Sequence, residues 1–293
     1  MIKLYGIAFR LHPLFTVLML LSIWTGYFTE LVTLFSIVLI HELGHVVAAR
    51  RYGWTVTKVE LLPFGGVAET EQLGRSSVRE DIVVALAGPL QNAWMIGVAY
   101  GFDAMGIWGS EWSLYFIQAN LMIGLFNLLP VLPLDGGKVM QALLSCWIPY
   151  YRAIQLSAWI SMVLSCGLAA ASFWRLTTDG LALNLLIIAG FLLASNWFGF
   201  RNASFQFVRF LMNRDGRMEP LIDRGTLAQP IVVSPHRTVA DIVRLFMRER
   251  YHIVYVLGAG GRVQAVLPEQ RLLHAYFHLD RPGSPVSDVF MLK

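Results

Sequence analysis

The sequence predicts a helical membrane protein: six transmembrane helices with a re-entrant hairpin, followed by a small α/β domain at the C-terminus. Three observations carry this reading. Of 293 residues, 56% are hydrophobic and only 14% charged, where a soluble protein carries about a quarter charged. The shortage is uneven, because residues 11–200 are poor in charge whereas residues 201–293 have a soluble domain's mixture. Apolar stretches long enough to cross a bilayer recur at about 13–29, 31–49, 82–102, 112–130, 151–174 and 181–199. The chain therefore divides into a membrane domain (1–200), an interfacial linker (201–219) and a globular domain (220–293).

The loops between the spans set their direction. Cations gather at Lys3 and Arg10, at Arg50, Arg51 and from Lys58 to Arg79, at Lys138 and Arg152, and from Arg201 onward. The alternate loops hold Glu30, the segment from Asp103 to Glu111, and Arg175 with Asp179. Positive residues stay on the cytoplasmic side, so both termini are expected there, as an even number of spans requires. The first span has no small-residue cleavage site after it and reads as retained.

Between the second and third spans, Lys58–Val67 is too short to span as a helix and ends on a Gly pair. A re-entrant or surface β-hairpin fits it, and an ordinary cytoplasmic loop is the alternative. Residues 201–219 mix Phe205, Phe207 and Phe210 with Arg201, Arg209 and Arg214, as an amphipathic connector at the membrane surface would. A continuation of the sixth helix is the other reading. Beyond Pro220, strands are expected at 231–233, 253–257 and 263–267, and helices at 238–250, capped by Thr238, and 269–277. Cys146 and Cys166 lack metal-site spacing and read as packing residues. A net charge of +4 gives no reason to expect direct contact with nucleic acid.

Within the second apolar stretch lies His41-Glu42-Leu43-Gly44-His45, an HExxH sequence. Imidazoles and a carboxylate in hydrocarbon are costly unless partners hold them. Residues i and i+4 share a helix face, so His41 and His45 can aim at one metal ion. Glu42, about 100° around the helix, can reach a water beside the ion instead. A catalytic zinc takes three protein ligands and keeps one position open. His12, beside Pro13, reads as an interfacial residue. Asp135 is the candidate third ligand, because it follows the fourth span, which returns to the side of His41 and His45. It sits in Asn127-Leu-Leu-Pro-Val-Leu-Pro-Leu-Asp-Gly-Gly137. There Pro130 and Pro133 enforce an extended backbone, and Gly136 and Gly137 permit close approach. As a helix N-cap before Lys138, Asp135 would have a plainer role. An extended segment beside a metal also offers backbone groups to a substrate strand.

HELGH paired with Asn-x-x-Pro-x-x-Pro-x-Asp-Gly-Gly resembles the site-2 protease family of intramembrane zinc metalloproteases. Pro63-Phe-Gly-Gly66 and Ala87-Gly-Pro89 with Asn92 add to the resemblance, which covers about residues 1–200. The C-terminal block is similar to a single CBS domain, and six spans with one such domain resemble the family's sporulation branch in endospore formers. The resemblance implies zinc held by His41, His45 and Asp135, with Glu42 as general base and proton shuttle. It implies substrate contacts at Asn127, Pro130, Pro133, Phe64, Gly65 and Gly66. It further implies a membrane-associated pro-sigma factor as substrate and membrane-bound inhibitor proteins as partners. One CBS copy per chain hints at a homo-oligomer, with a substrate-docking platform as the alternative. In such domains ATP is bound by a hydroxyl residue and a carboxylate after the third strand. Pro268 and Arg271 stand at those positions, which puts nucleotide binding in doubt, although Arg271 could meet phosphate.

Other substrates within the class are an anti-sigma factor or leftover signal peptides. From another class, a CBS-regulated metal-ion transporter would also bury His and Asp. Transport needs no general base beside its ligands, so Glu42 argues for the protease.

Overall fold

A computed structural model of the chain describes residues 2–4, 7–11, 13–62, 65–71, 76–176, 183–214, 216, 218, 222–223, 225–277 and 282–291. It forms two compact units, Met1–Met140 and Gln141–Lys293.

The first unit opens with strands β1 (Ile2–Leu4) and β2 (Ile7–Leu11), then helix α1 (Pro13–Thr25). Gly26, at φ 84, makes the left-handed turn that only glycine adopts freely. Helix α2 (Phe28–Arg51) carries HExxH. Strands β3 (Thr55–Leu62) and β4 (Gly65–Glu71) follow, with Leu62 opposite Gly65 in antiparallel register. The expected hairpin is therefore present and longer than its sequence signal. It joins β1 and β2 in one sheet of order β1-β2-β3-β4, with β2 and β3 parallel. Sequence reasoning missed β1 and β2, taking them for the flank of the first span. Pro63 and Phe64 lie outside the described residues.

Helix α3 (Val78–Ala104) starts at a Ser77 cap, whose hydroxyl accepts the Glu80 N–H at 3.2 Å. Helix α4 (Ser110–Asn127) returns beside it, and α5 (Asp135–Trp147) continues across the boundary between the units. Ile37, Met95 and Ala119 join α2, α3 and α4 in one buried cluster. Val46, Ala49, Trp54, Val56 and Val84 tie the far end of α2 to β3 and α3.

Among the described residues, four of the six expected spans are helices long and apolar enough to cross a membrane: α2, α3, α6 (Tyr150–Leu176) and α7 (Leu183–Arg201). Helix α1 has 13 residues, about 20 Å against a hydrocarbon core of about 30 Å. Helix α4 has the length, but Glu111, Gln118, Asn120 and Asn127 dilute its apolar character.

In the second unit, α6 and α7 are followed by α8 (Ala203–Met212) and β5 (Ala228–Val233). Next come α9 (Val239–Val243), β6 (Tyr251–Leu257), β7 (Val263–Pro268), α10 (Glu269–Phe277) and α11 (Val286–Met291). The sheet has order β5-β6-β7, parallel then antiparallel. All three expected strands are present, and α11 was not foreseen. Helix α8 is amphipathic, but its apolar face turns into protein. Ala203, Phe207 and Leu211 share a core with Ile154, Phe246, Val254 and Leu272.

The helix expected at 238–250 keeps its Thr238 cap, bonded from the Asp241 N–H at 3.2 Å, yet ends at Val243. Its continuation unwinds because the backbone beyond is used elsewhere. The Met247 and Arg250 carbonyls accept from Arg214 at 2.8 and 2.5 Å, and the Met247 N–H donates to His252 Nε2 at 3.1 Å. Arg214, placed by its sequence in a surface connector, is fully buried. Its Nε and Nη2 donate to the two oxygens of Glu269, each at 2.9 Å.

A backbone N–H can only donate, so His252 Nε2 accepts and its Nδ1 carries the proton given to Glu269 at 3.1 Å. Burial holds the His252 imidazole below its ordinary range, and the Arg214 charge adds to this against the pull of Glu269. Burial pushes Glu269 up, but the His252 bond and the Arg214 guanidinium outweigh it and leave the carboxyl below its usual range. For both groups the unfolded chain binds the proton more readily, so both favour the fold at higher pH. The His252 contribution is complete above an unfolded pKa of about 6.5 and is lost as pH falls below it. That of Glu269 is lost only below about 4.3. The thermal midpoint of the whole protein in detergent is therefore expected to drop between pH 7 and 5.5. His252→Gln should flatten that slope, and an unchanged slope in this variant would refute the assignment.

Candidate metal centre

Helix α2 presents His41 and His45 one turn apart, both buried. The segment after α4 brings in the third group, with Asp135 as the first residue of α5, also buried. Asp135 Oδ2 lies 3.2 Å from His41 Nε2 and 3.0 Å from His45 Nε2, and the two nitrogens are 3.2 Å apart. A tetrahedral zinc about 2.0–2.1 Å from each ligand holds them roughly 3.3 Å apart. The triangle has that size. Among the described residues these three form the group able to hold a metal ion.

The electrostatics ask for a cation. His45 Nδ1 donates to the Val84 carbonyl at 2.7 Å, and a carbonyl only accepts. In the neutral imidazole its Nε2 is then a bare lone pair, directed at a carboxylate oxygen. A positive ion between them turns that repulsion into attraction. The other carboxylate oxygen, Oδ1, is held by Lys138 Nζ at 3.0 Å, one turn along α5. Glu42 is half-buried on the same turn of α2, within electrostatic reach of His41, His45, Lys138 and Asp135.

Helix α3 backs the site through positions not assigned from sequence. Gly44 faces Ala87, where an added Cβ would stand 2.8 Å from the carbonyl oxygen. Gly88 lies against the histidines, and its added Cβ would stand 2.6 Å from His41 Nε2 and closer to His45 Nε2. One turn on, buried Asn92 meets His41 Nδ1 through Oδ1 at 2.5 Å. The available signal for Asn92 was a polar side chain inside an apolar span. Gly136 and Gly137 do permit a close approach, though to the backbone of Leu128 and Val131 rather than to the carboxylate.

Asn127 ends α4, half-buried, with Nδ2 donating to the Ile123 carbonyl at 3.0 Å. Pro130 and Pro133 are exposed on the segment leading to Asp135. Gly65 and Gly66 open β4, opposite Leu62 and Leu61.

Residues 29–107 and 96–168 match Peptidase family M50. The chain is 31% identical to stage IV sporulation protein FB of Bacillus subtilis over 96% of both chains. It is 32% identical to a zinc metalloprotease of Methanocaldococcus jannaschii, over 56% of this chain and 50% of that one. The solved site-2 protease from the same archaeon superposes with a TM-score of 0.53 at 27% identity, over 68% of this chain and 94% of the other. The match that runs the length of both proteins and the shared fold place this chain in peptidase family M50, the site-2 proteases, as a zinc-dependent peptidase.

Proposed function

We propose that the protein cuts a membrane-associated pro-sigma factor near the cytoplasmic face. The observation that carries this reading is the similarity to the sporulation protein over 96% of both chains. His41, His45 and Asp135 hold the zinc, which when bound supplies Lewis acidity toward a scissile carbonyl and lowers the pKa of water. Glu42 takes the proton from the attacking water and gives it to the leaving amine. Asn127 positions the substrate or its developing oxyanion. The segment from Pro130 to Pro133, with both prolines exposed, and the strand opening at Gly65 and Gly66 offer edges to an extended substrate, and Phe64 is a further substrate contact by the family resemblance.

In this reading α1 and α4 complete six spans, both termini are cytoplasmic, and the β3–β4 hairpin is re-entrant. The C-terminal α/β unit acts as a CBS-type module that docks substrate or pairs with a second copy, and membrane-bound inhibitors keep the enzyme silent. ATP binding is not proposed, since Pro268 and Arg271 stand in place of the hydroxyl residue and the ribose-binding carboxylate, and the carboxylate between them, Glu269, is committed to Arg214.

The test is co-expression with a membrane-tethered pro-sigma factor, read by immunoblot. Glu42→Gln is expected to slow processing by about 10²–10⁴-fold, the span of general acid–base contributions, while protein level and bound zinc stay at wild type. A processed band of equal strength in the variant would end the assignment of Glu42.

A further inference from the structure

The side chains behind His41 form a line of amides with one fixed polarity. It starts at the Phe116 backbone carbonyl in α4, which can only accept. Asn120 Nδ2 donates to it at 2.9 Å, so Asn120 Oδ1 points the other way. That oxygen accepts Asn92 Nδ2 at 3.2 Å, which turns Asn92 Oδ1 toward His41 Nδ1 at 2.5 Å. An acceptor there requires the imidazole proton on Nδ1. The lone pair is left on Nε2, the atom that faces Asp135 and His45.

His45 needs no such line, since one backbone carbonyl, that of Val84, fixes its tautomer. Asn92 is different, because an amide can face a histidine with either end. Rotated by 180°, it would present N–H to Nδ1 and select the tautomer whose Nε2–H points into the metal position. Asn92 and Asn120 are 1% and 0% exposed, so bulk water is not at hand to stabilise the rotated amide. Gly124, one turn beyond Asn120, keeps α4 close, because a Cβ there would press on Asn92 Cβ at 3.3 Å.

We propose that Asn120 and Asn92 are positioning residues that lock His41 in its metal-accepting tautomer, with the orientation set by the Phe116 carbonyl. The inference rests on the reading that His41, His45 and Asp135 hold zinc.

Zinc affinity of the full-length protein in detergent, measured by chelator competition, tests it. Wild type should bind one zinc and His45→Ala should lose it. If wild type binds none, or His45→Ala binds as tightly, the metal-site reading fails and takes this inference with it. With that reading intact, Asn92→Leu should weaken zinc by about 10–100-fold, as loss of outer-shell partners does, and Asn120→Leu by a smaller factor. Asn92→Asp should recover part of the binding, since either carboxylate oxygen accepts from His41 Nδ1, although its outer oxygen then meets the Asn120 Oδ1 acceptor. Because either oxygen serves, Asn120→Leu should cost nothing further in the Asn92→Asp background. A purely packing role for Asn120 predicts the same loss in both backgrounds, and that result would overturn the proposal. So would wild-type affinity in Asn92→Leu.

Discussion

Gly88→Ala is expected to leave the chain folded and unable to keep zinc. The added methyl carbon would stand 2.6 Å from His41 Nε2 and nearer to His45 Nε2, close to where an ion about 2.0–2.1 Å from each nitrogen must sit. The imidazoles cannot swing aside cheaply, because Asn92 and the Val84 carbonyl hold their Nδ1 atoms. Relief requires α2 and α3 to part, and overpacking of a tight interior costs about 1–3 kcal/mol. Spent against binding, that is roughly a 5- to 150-fold loss of affinity, with proteolysis lost alongside. Gly97→Ala on the same helix is the control, since its Cβ meets nothing within 4 Å. Metal analysis after dialysis against a chelator decides it. One zinc per chain in Gly88→Ala would show that the crossing has room to spare.

Arg214→Met is expected to destabilise the second unit by about 3–5 kcal/mol, the cost of leaving one partner of a buried ion pair alone. The guanidinium serves both Glu269 oxygens and two backbone carbonyls, and it stacks within 5.3 Å of Phe210 and 5.1 Å of Phe246. Methionine keeps the packing volume and removes the donors. The pH response should also soften. With the Arg214 charge gone, burial is left as the chief opponent of the pull of Glu269 on the His252 proton, so the His252 pKa moves back toward its unfolded value and less stability is lost as pH falls through that range. Limited proteolysis across residues 228–277 at pH 7.5 and 6 measures both effects. Equal resistance of variant and wild type at both values would contradict the argument.

The metal triangle was legible because its parts are local or directional. HExxH sets two imidazoles on one helix face by spacing alone, and Asp135 comes to the same side, as the expected run of the spans required. Gly88 and Asn92 entered only as parts of the family resemblance and Asn120 not at all, because their contacts arise only where one helix crosses another. The missed strands are short: β1 bonds to β2, and β2 in turn gains its partner from β3, with Ala8 opposite Lys58 far along the chain. The helix at 238–250 was overextended for a similar reason. Its apolar periodicity continues to Phe246 and Met247, but the Met247 N–H is taken by His252 Nε2 and the Phe246 carbonyl by the Tyr150 N–H, both lost to the helical ladder.

Helix α8 also determines where this protein can be divided. The composition changes at Pro220, and a fragment cut there would look complete by sequence. It would lack Phe207 and Leu211 from its interior and Arg214 from its ion pair, leaving Glu269 buried and uncompensated. A separable piece therefore starts no later than Ala203, where it still lacks Ile154 of α6 from the same core, and a graft of this module onto another membrane protein should carry α8 with it.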